Sequence, residues 1–317
     1  LARSVRFQVS SFGFPATLRI MTWSSWMIFG GYMLLFGALV AGTLVLRLRR
    51  RKERKPFPDH LRLRRGPGES LRQTIDRLDD ALLNAFVAAF CLPLIASGVL
   101  LWVITNLDDH TQLMALGTTL GVLLLGLILL GLRIARRLER WRNTYLGYFG
   151  ERVVAEALEP LKAEGYHVFH DVPAGGIGHR FNIDHVIVAP TGVFSVETKT
   201  RRKGEVRPEF AAHEIIYDGS QLIYPWGEDQ FGLDQARDQA AWLAKWLKKE
   251  LDLEVPVTPI LTFPGWTVIT RQPGPITVLS PAQIPTAVTV GDAAKLGPAR
   301  IAAIAQRLDK RCRDVEF

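Results

Sequence analysis

Cysteine is almost missing: Cys91 and Cys312 are the only two in 317 residues. That excludes a disulfide scaffold. The marks of a disordered chain are missing as well, because 48% of the residues are hydrophobic and leave abundant apolar surface to bury. No glycine-rich phosphate-binding loop and no Gly-x-Ser-x-Gly elbow occurs, which removes NTPase and serine-hydrolase chemistry of those types and leaves no nucleotide cofactor to expect. His167, His170, His179 and His213 lack the spacing of a zinc site.

Charge is missing in three places. Ser24–Leu46, Leu82–Ile104 and Leu113–Leu132 contain no Asp, Glu, Lys or Arg, and each approaches or exceeds the roughly 20 residues that cross a bilayer. The pattern predicts three α-helical membrane spans in residues 21–142, with the lipid bilayer as partner. Pro93 in the second is tolerated with a kink. Ion and proton pathways need ionisable groups at depth, so a transporter or channel is disfavoured and the spans read as an anchor. Gly117-Thr-Thr-Leu-Gly121 has the small-residue spacing that lets two helices approach closely.

The arginines orient the anchor. Residues 47–80 hold 12 basic against 6 acidic residues, the connection 105–112 carries Asp108 and Asp109, and Arg133-Ile-Ala-Arg-Arg-Leu-Glu-Arg-Trp-Arg follows the third span. Basic loops stay in the cytoplasm. The expected topology in the cell (inner) membrane is therefore N-terminus out, first loop in, short hairpin out, and everything after residue 133 in. Arg3, Arg6 and Arg19 mildly oppose this. Residues 1–20 read as an uncertain extension, with Met21 the preferred start; no cleavage site of a signal peptide follows the first apolar run.

The net charge of +8 invites a nucleic-acid reading, but it is unevenly placed. Residues 1–142 contain 20 Lys and Arg against 9 Asp and Glu, whereas residues 143–317 contain 19 against 22. The basic excess belongs to the apolar half, so global charge says nothing for nucleic acid.

From Asn143 the periodicity changes. Apolar residues at 153, 154, 157, 158 and 161 make a helical stripe that Gly165 ends. A strand over Tyr166–Val172, a glycine-rich loop (Gly175, Gly176, Gly178), a strand from Asn182, a turn at Pro190-Thr-Gly and a strand from Val193 follow. A tight turn pairs Ala189 with Gly192 and so sets Asp184 opposite Glu197; a turn of slightly different length shifts this by one. Ser195, Glu197 and Lys199 share one side of their strand. Two carboxylates that close repel unless a cation or proton neutralises one. With the lysine they suit a Mg²⁺ site that keeps several waters, one of which could attack a phosphodiester. The competing reading is a solvated hairpin face with Glu197 and Lys199 as a surface ion pair.

Gly150-Glu151, Asn182-Ile-Asp-His and Pro190-Thr-Gly-Val-Phe-Ser-Val-Glu-Thr-Lys together resemble the nuclease-related domain called NERD, which looks like part of the PD-(D/E)xK nuclease superfamily. The resemblance covers about residues 143–250. It implies an α/β domain with a mixed sheet flanked by helices, over residues 143–260, and Mg²⁺ or Mn²⁺ held by Asp184, Glu197 and the Thr198 carbonyl. Lys199 would position or activate the water, and Glu151 would point to the same site. The family's Asn-Pro-x-x-Gln motif is here Phe231-Gly-Leu-Asp-Gln235: Gln235 survives and Asn-Pro does not, which puts the helix N-terminus in doubt more than the metal site. Arg201, Arg202 and Lys203 stand where they could hold a phosphodiester.

A helix over Leu233–Leu251 follows. Strands at Val255–Phe263 and Pro275–Leu279 and an amphipathic helix at Pro298–Leu308 would complete the domain within residues 261–317. The expectation is a membrane-anchored, cytoplasm-facing nuclease acting on DNA. Its rival is a non-catalytic, membrane-tethered module that binds nucleic acid or protein, favoured by the acidic balance of residues 143–317. Oligomeric state is open.

Overall fold

The structure, a computed structural model, describes residues 60–316 apart from 107, 177, 178 and 291–294, together with Pro58 and individual positions between Met27 and Val45. The N-terminal extension, Met21, the basic stretch 47–55 and Gly178 lie outside the described residues. The chain divides into two compact units. One takes in the chain up to Pro56 with Asn84–Arg133, the other Phe57–Leu83 with Ile134–Phe317.

Two long helices, α1 (Glu69–Asn106) and α2 (Asp109–Ala157), carry the second and third apolar runs. Both are long and apolar enough to cross a membrane. Phe86, Phe90, Ile95 and Trp102 on α1 and Leu113, Val122 and Leu124 on α2 are exposed, a density of apolar surface that marks a face for a membrane or a partner. Of the three spans expected, these two are the candidates among the described residues; the described positions between Met27 and Val45 are helical. The acidic connection is shorter than expected, since α1 runs to Asn106 and α2 starts at Asp109.

The second unit is built on a five-stranded mixed sheet. Its strands are β2 (His167–Gly176), β3 (His179–Ala189), β4 (Gly192–Thr198), β8 (Val257–Thr262) and β10 (Thr277–Leu279). The order is β10-β8-β4-β3-β2; β2, β3 and β4 form an antiparallel meander, and β8 and β10 add parallel to β4. The glycines expected to form a loop extend the hairpin instead, with Gly175 paired to Arg180 and Gly176 to His179. Gly192 takes a positive φ of 141° at the tight turn, and Ala189 pairs with Gly192 as the sequence predicts.

Near-continuous apolar runs in β3 and β4 fit strands covered on both faces. On one face Val186, Val188 and Val193 pack with Leu243, Leu247, Ile304 and Leu308. On the other, Ile187, Phe194 and Val196 pack with Val154, Leu158, Leu161 and Ile284. The covering helices are α4 (Phe231–Leu251) and α6 (Pro298–Cys312) on the first face. The end of α2, the short α3 (Glu159–Ala163) and α5 (Ile284–Val290) cover the second.

The strict alternation slips once. Phe169 and Val172, three apart, face the same core, as do Ile183 and Val186. Between them the β2–β3 register omits the Asp171–Asp184 pair, and Asp171 has a left-handed φ of 49°, a conformation that aspartate tolerates better than most residues. A second sheet absent from the sequence reading has the order β7-β6-β5-β9. It is made of β5 (Glu214–Tyr217), β6 (Leu222–Tyr224), β7 (Gly227–Asp229) and β9 (Thr267–Thr270). Lastly, β1 (Leu63–Arg64) pairs with β11 (Arg313–Val315).

His170 and His185 face each other across β2 and β3, both buried, with Nδ1 atoms 2.8 Å apart. One Nδ1 donates and the other accepts, so the accepting ring is neutral. Burial lowers His170 to about 4, helped by Lys162; burial and His170 lower His185 well below its ordinary value. At these two positions the unfolded chain, with histidine near 6.5, binds more protons than the folded one, so the stability that the pair contributes is full above about pH 6.5 and is lost as pH falls towards about 4. For His170 alone the lost stabilisation is about 3 kcal/mol. The buried carboxyl groups titrate in the opposite sense, so the test is a difference: on going from pH 7 to 4 the thermal midpoint of the full chain should fall relative to that of His170→Gln, and parallel profiles would refute the assignment.

Candidate functional site

The carboxyl groups that the sequence singles out come from three elements. Glu151 is carried by the C-terminal part of α2, where Gly150 packs so tightly that a Cβ would overlap the Thr200 methyl group. Asp184 stands on β3 beside the slip in alternation, and Glu197 is near the end of β4. Asp184 Oδ2 accepts the backbone N–H of Thr198 at 2.7 Å, one residue beyond the position opposite it in an unbroken register. The N–H of Thr198 is thus engaged by Asp184.

Glu197 is only 2% exposed, which rules out a surface ion pair. Its Oε1 lies 2.6 Å from Lys199 Nζ, and its Oε2 accepts Gln239 Nε2 at 2.6 Å. Lys199 Nζ also donates to Gln235 Oε1 at 2.5 Å. Gln235 and Gln239 are one helical turn apart on α4 and present their amides to the same pair. Gln239, buried and with its Oε1 unpartnered, is the site residue that the sequence reading missed; its spacing of four from Gln235 was the available signal.

The three carboxyl groups sense one another. Burial pushes Glu151 up to about 8, and the negative charges of Asp171 and Glu197 add to it. Asp184 keeps some solvent contact, yet desolvation and repulsion from Glu197 and Glu151 hold its carboxyl well above the usual range. Burial raises Glu197 too, against the opposing pull of Lys199 and Gln239. Glu151 Oε2 is buried without a partner, which ordinarily costs stability unless a ligand satisfies it. Among the described residues, no three His, Cys, Asp or Glu side chains are arranged to share one metal ion.

A fourth carboxylate is fully satisfied. Asp171 accepts from Arg65 Nη1 at 2.9 Å, the Ser70 backbone N–H at 2.8 Å, the Ser70 hydroxyl at 2.7 Å and Asn182 Nδ2 at 2.9 Å. Arg65 in turn bonds Asp314 on β11 through Nε and Nη2. No feature of the sequence marked this cluster. The basic run beyond β4 is divided: Arg201 pairs with Asp229 at 2.8 Å, whereas Arg202 and Lys203 are exposed. The missing Asn-Pro is compensated locally, because Asp229 Oδ1 accepts the Phe231 N–H at 2.6 Å where α4 begins.

Residues 146–264 match the nuclease-related domain family, NERD. An uncharacterised protein of Bacillus anthracis is 35% identical over 79 residues, which are 25% of this chain and 35% of that protein. The match thus spans about a third of the relative's length. No solved structure matches.

Gln239→Ala should strip Glu197 of one donor and lower stability by about 1–3 kcal/mol, read as a drop in thermal midpoint of the full chain. An unchanged midpoint would mean that the bond contributes nothing.

Proposed function

We propose that the chain is a membrane-anchored, cytoplasm-facing nuclease that hydrolyses DNA phosphodiester bonds with Mg²⁺ or Mn²⁺. The observation that carries the reading is the set of buried, mutually repelling carboxyl groups of Glu151, Asp184 and Glu197 within a nuclease-related domain. Such a set is stable as anions only with positive charge among them, and the unpartnered Glu151 oxygen leaves a lone pair to be satisfied.

The donors fit a hard divalent cation taken by one or two carboxylates and completed by water, rather than enclosed by protein alone. Asp184, Glu197 and the Thr198 carbonyl would hold it, and the bound cation would supply charge for the phosphoryl oxygens and acidify a water. Lys199, fixed between Glu197 and Gln235, holds a donor N–H towards the water or the phosphate oxygen. Gln239 fixes the Glu197 carboxylate from the other side. Arg202 and Lys203 offer cations to the DNA backbone.

Anchoring rests on the exposed apolar surfaces of α1 and α2, and orientation on the arginines that flank them. Protease added to inverted membrane vesicles should degrade the C-terminal domain, and protease added to intact spheroplasts should spare it; the reverse result would invert the topology.

One observation favours the non-catalytic rival: Glu197 already has Lys199 and Gln239 as partners, and no three ligands share one point among the described residues. Two measurements on the full chain in detergent separate the readings. Mg²⁺ or Mn²⁺ should raise the thermal midpoint of the wild type by mass action and leave that of Asp184→Asn unmoved. Metal-dependent cleavage of linear, circular or single-stranded DNA should vanish in the same variant. Metal binding without cleavage would favour the binding module, and absence of both would end the nuclease reading.

A further inference from the structure

Beside the carboxylates lies an aromatic and cationic surface that phosphodiester hydrolysis alone does not use. Phe231, the first residue of α4, is 63% exposed. Its ring centroid is 5.1 Å from Lys199 Nζ, the ammonium that bonds Glu197 and Gln235. The ring therefore borders the reacting centre. It is held there by design of the backbone, since Asp229 takes the Phe231 N–H on Oδ1 and Arg201 on Oδ2.

A second aromatic ring packs under the neighbouring loop. Trp226 is 38% exposed and stacks on Tyr224 with centroids 5.3 Å apart at 16°. Gly204 closes over it so tightly that a Cβ would lie 3.2 Å from the indole. Gly204 directly follows Arg202 and Lys203, both exposed; Lys203 Nζ lies 5.6 Å from the Trp266 ring centroid. Single exposed apolar side chains are ordinary. An exposed aromatic ring against the ammonium of a carboxylate site, with exposed cations on the loop that leaves the same strand, has the elements of a base-stacking platform with a backbone-tracking rim.

Resting on the nuclease reading, we propose that this surface selects single-stranded DNA: Phe231 stacks on an unpaired base, while Arg202 and Lys203 hold the adjoining phosphates. A duplex hides its base faces, and its affinity comes from many phosphate contacts. Residues 143–317, with 19 basic and 22 acidic residues, carry no net positive charge to favour one. Stacking is sequence-tolerant because every base has a π face, so the preference is for unpaired strands over any particular sequence.

The test is fluorescence anisotropy of a labelled oligothymidylate and of a labelled duplex, on the full chain in detergent with Ca²⁺, alongside cleavage of both with Mg²⁺. Phe231→Ala should weaken single-strand binding by about fivefold to a hundredfold and leave duplex binding as it was, and Phe231→Trp should restore it. Arg202→Ala with Lys203→Ala should flatten the salt dependence of single-strand binding. Equal single-strand affinity in wild type and Phe231→Ala, in a chain that still cleaves DNA, overturns the platform and leaves the nuclease reading standing. A wild type that neither binds nor cleaves any DNA overturns both.

Discussion

Carboxyl groups buried within electrostatic reach of one another cannot all be ionised without opposing charge, and the second unit is arranged around that constraint. All three of Glu151, Asp184 and Glu197 are raised by burial, and the first two also by a neighbour's charge. The protein's own answer is partial: the Lys199 ammonium, the Gln239 amide and the backbone N–H groups of Thr198 and Gly68. Glu197 is the best served of the three and Glu151 the least, with one oxygen left bare. An uneven distribution of donors is what a site for an added cation requires, since complete internal satisfaction would leave nothing for the ion to do.

Asp171 shows the contrast. It is just as buried, yet it stays saturated by Arg65, Ser70 and Asn182. Its left-handed backbone breaks the alternation of β2, and the matching slip in β3 brings Asp184 to the Thr198 N–H. A saturated carboxylate thus fixes the geometry beside an unsaturated group of them.

What the sequence revealed follows from the physics of each feature. The β3–β4 hairpin was legible because Pro190-Thr-Gly and the flanking β-branched run admit few registers, and Glu197 and Lys199 fall on one face by alternation alone. The α4 helix was legible because Leu233, Ala236, Ala240, Leu243 and Leu247 recur at helical spacing, and all five are buried. The position of Asp184 was legible only to within one residue, because a slip set by the φ of Asp171 has no periodic signature. The strands β5, β6, β7 and β9 are three or four residues long, too short for alternation to stand out. Gln239 was hidden because a buried glutamine on an apolar stripe reads as noise until its partner is seen. The Arg65, Asp171 and Asp314 cluster joins residues far apart in sequence, beyond the reach of any local pattern.

That cluster and the β1–β11 pairing bear on how the domain can be cut out. Residues 57–83 belong with 134–317 in one compact unit, so the apolar stretch 84–133 interrupts the domain in sequence instead of preceding it. A fragment that starts near residue 143 discards β1 with Arg65 and Ser70. Asp171 would then lose Arg65 and Ser70 and keep Asn182 as its remaining side-chain donor, leaving the left-handed turn in β2 without most of its hydrogen bonds. Inactivity in such a fragment would report a broken fold and say nothing of chemistry. A faithful soluble version has to splice residues 57–83 to 134–317 through a short polar linker, treating the hydrophobic hairpin as an excisable insert.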